Sequence, residues 1–183
     1  MPTSPMLDKG PCEMVWGYGD SDAAYLGKTL DGVNVKMEPT VSDINEDQAG
    51  DAAVNAVLTG ATCEIEANLT RLSLEELRRL FDEEEIAGEP CVVPIRNPVG
   101  CDLYSKAKAL VIKPTCGGVI STNPCEWVEF YLAVPIAGLD LTFDKDTQRV
   151  FPVKFKCFPA QDSSEGIVGC FGQIGLDSAA SIL

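Results

Sequence analysis

Apolar and polar residues alternate along much of this chain. In Val33–Glu38 the odd positions are apolar and the even ones polar. The stretch "CEIEANL" repeats the pattern, with Cys63, Ile65, Ala67 and Leu69 on one face and Glu64, Glu66 and Asn68 on the other. "VKFKCF" sets Lys154 and Lys156 opposite Val153, Phe155 and Cys157. Successive side chains of a strand point to opposite faces, so each run is predicted as a half-buried antiparallel strand. "AKALVIK" and "EWVEFYLAVPI" are more continuously apolar and predict central strands, or a pair buried in an assembly. "GLDLTFDKDTQRVFPV" predicts a hairpin around a polar turn at Asp144–Gln148.

The period changes once. "LSLEELRRLFDEEE" carries Leu74, Leu77, Leu80 and Phe81 as one helical stripe, which predicts a helix covering a sheet. Ser73 followed three residues later by Glu76 is a capping box, and Leu72 with Leu77 fits a hydrophobic staple. Asp82–Glu85 would fall in the last turn, where negative charge opposes the helix dipole. The secondary-structure reading is therefore mainly β and antiparallel, with one flanking α-helix. A single domain over residues 1–183 is expected, with a Pro/Cys-rich insertion around 89–125 and a Gly/Ser-rich tail around 166–183, loosely held unless it docks on a neighbour.

Composition narrows the function classes. The chain has 28 acidic against 14 basic residues, a net charge of −14, and no basic stripe. Such a surface repels phosphates and anionic lipid, so sequence-reading DNA binding is not expected. Histidine is absent, which removes the commonest general base, the Ser-His and Cys-His arrangements and most zinc sites. No catalytic residue, metal site or cofactor is assigned. The nearest thing to a catalytic pair is Glu64 with Glu66, and alternate residues on a strand face are ordinarily a wet surface. No secretory signal is visible and "VEFYLAVPIAGL" is too short to span a bilayer, so a soluble protein is expected.

Eight cysteines are present and none forms a C-x-x-C pair. Cys63 and Cys157 fall on apolar strand phases and read as small buried hydrophobes. Cys12, Cys91, Cys101, Cys116, Cys125 and Cys170 mostly lie beside Pro or Gly, where loops are. These six are the disulfide candidates, within or between subunits: reduced in a cytosol, oxidisable in a particle released from a cell.

The acidic stretch "SDINEDQAGD" (Asp43, Glu46, Asp47, Asp51) fails as a calcium loop. Counted from Asp43, the sharp-turn position is Gln48 instead of Gly, and the bidentate position is Val54 instead of Glu. A linker is a poor fit too, because apolar residues resume at once.

The order of features from Trp16 to Phe81 resembles the tail tube proteins of bacteriophages. "LGKTLDGVNVKMEP" gives a Gly-containing turn into an alternating strand, "SDINEDQAG" an acidic extended stretch, then "AVNAVLTG", the strand "ATCEIEANL" and the capped helix "SLEELRRLF". The resemblance implies a β-sandwich or barrel with a flanking helix, six copies to a ring, and stacked rings forming a tube through which DNA passes without specific binding. It implies a structural virion protein of the tail, assembled in the host cytoplasm, with sheath, terminator or baseplate proteins as partners. Asp43, Glu46, Asp47 and Asp51 would then lie in a long loop touching a neighbouring subunit, or simply be solvated. Glu64 and Glu66 would line the channel as negative rings, or else lie on the outside. A neck or terminator ring or a capsid-decorating protein is the alternative within this class. A carbohydrate-binding or carboxylate-hydrolase β-sandwich is the alternative outside it.

Overall fold

The structure is a computed structural model describing residues 11–26, 29–45, 52–70, 72–81, 91–94, 99–136 and 150–176. It is mainly β. Strands run β1 (Cys12–Trp16), β2 (Ala24–Tyr25), β3 (Thr29–Asn45) and β4 (Ala53–Leu69), followed by α1 (Leu74–Leu80). Then come β5 (Lys108–Cys116), β6 (Val119–Ile120), β7 (Val128–Pro135), β8 (Phe151–Phe158) and β9 (Gly172–Ile174). They form an antiparallel sheet in the order β2-β1-β5-β7-β8-β4-β3, with β6 added to β5 and β9 to β7.

The predicted alternation decides which face is buried. On β4, Cys63, Ile65, Ala67 and Leu69 are buried, and on β8 so are Val153, Phe155 and Cys157. Register stacks the two sets in rows, Ile65 opposite Phe155 and Ala67 opposite Val153. The more continuously apolar β5 and β7 are central strands, as their composition predicts. β1 and β8 are separated in the sheet by β5 and β7, yet the Trp16 and Phe155 rings lie 6.4 Å apart. The sheet therefore curls around one core, bringing Cys12 of β1 beside Thr29 of β3. The indole N–H of Trp16 would be costly to bury unpaired, and it donates to the Ala133 carbonyl at 2.8 Å.

The capping box forms as expected. Ser73 Oγ accepts from the Glu76 N–H and Glu76 Oε2 accepts from the Ser73 N–H at 2.7 Å. The predicted apolar stripe is only partly used. Leu80 joins the core and Leu77 is half-buried, but Leu74 is 47% exposed. At seven residues the helix reaches the body mainly through its C-terminal end. There Arg79 donates to the backbone carbonyls of Asp22 and Ala23, and Arg78, itself buried, donates to the Val92 carbonyl. Residues 82–85 lie outside the described residues.

The segments set apart in the sequence as an insertion and a tail both contribute to the sheet. The Pro/Cys-rich stretch around 89–125 contains the central strand β5. The start of the Gly/Ser-rich tail is anchored: β9 pairs with Val128–Phe130, and the Leu176 N–H donates to the Pro124 carbonyl at 2.9 Å with its side chain buried. β8 and β9 share one side of β7, Phe158 opposite Leu132 and Gly172 opposite Phe130, and residues 159–171 leave the sheet between them. Gly172 is required there, because a Cβ would collide with the Glu129 carbonyl oxygen. The turn expected at Asp144–Gln148 and tail residues 177–183 lie outside the described residues.

Candidate assembly surface

β3 and β4 are each 17 residues long, about twice the length of the central strands β5, β7 and β8. The ladder between β4 and β8 ends at the rung Cys63–Cys157. From Thr62 back to Ala53, β4 is paired with β3 alone. At roughly 3.3 Å per residue this two-stranded arm extends about 30 Å past the body. Of the acidic stretch expected in a loop, residues 42–45 are the end of β3, and residues 46–51 lie outside the described residues; "TVSDIN" and "AVNAVLTG" form the two sides of the arm. A bulge interrupts the arm where Thr40 pairs with Gly60 and Val41 with Leu58. Thr59, left without an opposite residue, donates its hydroxyl to the Thr40 carbonyl at 3.1 Å. A bulge of this kind increases local twist.

The arm carries the core face outward, and among the described residues nothing packs beneath it. The row Val35–Ile65, Met37–Cys63, Pro39–Ala61, Val41–Leu58 continues the buried face of β4. Its members change from buried at Ile65 and Cys63 to 59% exposed at Met37, 55% at Val41 and 64% at Leu58. Ile44, Val54 and Val57 add exposed apolar surface toward the tip. β3 is also an edge strand, and Pro39, which cannot donate to a ladder, is tolerated because of that position. Of the four acids singled out, Asp43 lies on β3 opposite Ala56; Glu46, Asp47 and Asp51 fall outside the described residues.

The opposite face of the sheet is charged, and it holds Glu64 and Glu66 as the alternation requires. Register places Lys36 and Lys156 on either side of Glu64, with Asn34 and Lys154 flanking Glu66. Lys154 Nζ lies 2.6 Å from Glu64 and 3.3 Å from Glu66, and Lys36 lies 2.7 Å from Glu38. The Lys154 hydrogen bond holds the Glu64 carboxyl below its usual range, and Glu64 with Glu66 raises the Lys154 ammonium. A general acid needs the reverse, a carboxyl held above its usual range. The uniformly negative wall suggested by the two glutamates alone is replaced by an interleaved ladder in which Lys36, Lys154 and Lys156 balance Glu38, Glu64 and Glu66. Both lysines of "VKFKCF" were visible in the sequence, but their pairing depends on the β4–β8 register. Beside the ladder, an open cleft of about 500 Å³ is lined by Asp31, Asn34, Glu66, Asn68, Ile136 and Lys154, among others.

All eight cysteines are free thiols. Of the six disulfide candidates, Cys91, Cys101, Cys116 and Cys125 are exposed and Cys12 and Cys170 are half-buried; no two of them face each other across strands. The register instead brings together Cys63 and Cys157. They are buried, as their phase predicts, and they are also opposite each other. Among the described residues no three of Cys, Asp and Glu converge as a metal-binding set, and no helix is long and apolar enough to cross a membrane.

The fold and surface define an antiparallel, curled β-sheet protein with a projecting two-stranded arm. No family model and no curated protein sequence matches the chain.

Proposed function

We propose that this chain is a structural assembly subunit that forms rings through its β3–β4 arm, with the bacteriophage tail tube as the specific reading. The observation that carries it is the arm: an apolar row continuous with the protein's own core, borne on an edge strand and left exposed. Contiguous exposed apolar surface of this kind marks an interaction site, and an open edge strand invites pairing with another chain. A second copy of the chain supplies both complements, since it carries the same apolar sheet face. The resemblance from Trp16 to Phe81 supports six copies to a ring, rings stacked into a tube of the virion tail, and sheath, terminator or baseplate proteins as further partners.

In a tube, the charged face around Glu64 and Glu66 is the surface assigned to the DNA channel. Lys36 and Lys154 are engaged by glutamates, so a passing phosphate would have to displace a carboxylate to bind either of them. The strongly acidic remainder of the chain adds long-range repulsion. Electron microscopy of the purified full chain tests the reading. Hollow filaments are expected. Discrete rings that never stack would favour a neck or terminator ring, and compact monomers at high concentration would overturn the assembly reading.

A further inference from the structure

We propose that Cys63 and Cys157 are a modification site: a buried dithiol that closes to a cross-strand disulfide under peroxide, fixing the root of the arm to the body. The two residues are directly opposed on antiparallel β4 and β8. Opposed residues in such a pair have Cα atoms about 4.5–5.5 Å apart, inside the span of about 4.4–6.8 Å that a disulfide bridges. Their thiols are hydrogen-bonded to each other, so the sulfurs already face one another on the same side of the sheet.

The position of the rung gives the bond its consequence. Cys63–Cys157 is the last rung of the β4–β8 ladder; outward from it β4 pairs with β3 alone. A covalent link there joins the first buried residue of the arm to a central part of the body, closing a loop of roughly a hundred residues. The rung also borders solvent. Met37, across from Cys63 on β3, is 59% exposed, whereas both cysteines are 3% exposed. A small oxidant needs only a local opening at the arm's root to reach the sulfur.

The hydrogen bond from Cys157 favours the thiolate at Cys63, and burial with the same bond pushes Cys157 up. Cys63, on the strand beside the exposed Met37 at the arm's root, is the sulfur that peroxide meets first. Its thiolate displaces hydroxide from hydrogen peroxide, and with the proton it gave up this yields a sulfenic acid and water. The Cys157 thiol then attacks that sulfur, forming the S–S bond and releasing a second water. Each peroxide molecule accepts the two electrons that the thiol pair loses.

The bond depends on the rung's geometry whether or not the chain forms rings, so the two ideas fail separately. The full chain is first alkylated with iodoacetamide under native conditions to cap the accessible thiols. It is then exposed to peroxide, unfolded without reductant, labelled with a maleimide and mapped by mass spectrometry. The expected result is a peptide pair linked through Cys63 and Cys157, loss of both maleimide labels, and recovery of both with dithiothreitol. Amide exchange at residues 60–63 should slow at least tenfold on oxidation and return on reduction. Cys63→Ala should abolish the linked peptide. Undiminished labelling of both thiols, a sulfinic acid on Cys63 without a bond, or Cys157 linked to another cysteine would each overturn the proposal.

Discussion

Ser73 and Leu80 fix α1 by different means, and substitution separates them. Ser73→Ala removes the hydroxyl that accepts from Glu76 and should cost about 0.5–2 kcal/mol. Leu80→Ala leaves a hole in the core and should cost about 2–5 kcal/mol, whereas Leu74→Ala, on an exposed side chain, should change stability little. Urea denaturation measures all three, and a large loss at Leu74 would mean that the helix packs by its whole apolar stripe. Ser73 was legible because a capping box is local. Leu74 misled because periodicity reports a face without saying how much of it meets a partner.

A second residue pair gives a pH signature. Tyr104 donates to Glu165 Oε2 at 2.6 Å, and the Gln161 N–H donates to the same oxygen. Desolvation and the Glu165 contact push Tyr104 up to about 12, while the Tyr104 bond holds Glu165 below its usual range. For Tyr104, a raised folded value means stability present below its unfolded value, near 10, and lost as pH rises through about 12. For Glu165, a depressed folded value means stability present above the unfolded carboxylate value and lost as pH falls through the folded one. Tyr104→Phe should lower stability at neutral pH and flatten both limbs of the stability–pH curve, read by denaturant midpoint across pH. Unchanged limbs would show that the pair does not hold the 159–171 excursion.

At the scale of elements, the strands of the body were legible in their alternation and the arm was not. "CEIEANL" and "VKFKCF" bury one face and wet the other, which is what period two encodes. "TVSDIN" and "AVNAVLTG" mix small, polar and apolar residues on both faces, because neither face meets a core within the chain. Burial pressure writes the pattern, and the described residues of the outer arm are mostly exposed. The charged ladder escaped for a related reason: sequence shows which residues share a strand face, but register decides that Lys154 meets Glu64 and Glu66. Replacing both glutamates by glutamine should free Lys154, which would then attract phosphate. On the tube proposal, assemblies carrying Glu64→Gln and Glu66→Gln are expected to retain DNA longer than wild type at low salt, with the difference shrinking as salt screens it. Equal DNA retention at low salt would place this face away from the channel.

For the whole molecule, the exposed apolar row of the arm is the feature on which the proposed assembly rests. A curled sheet closes around its own core at one end and leaves the same apolar row open at the other. Val41 and Leu58 face each other on that row, both more than half exposed, so charge there should spoil assembly without unfolding the body. The most direct measurement is sedimentation velocity of the full chain beside the Val41→Asp, Leu58→Asp double variant, with thermal unfolding run in parallel. Large, concentration-dependent species are expected for the wild type, and for the variant a monomer of unchanged fold and nearly unchanged melting temperature. Wild-type protein that stays monomeric at every concentration, or a folded variant that assembles as the wild type does, would contradict the proposed assembly.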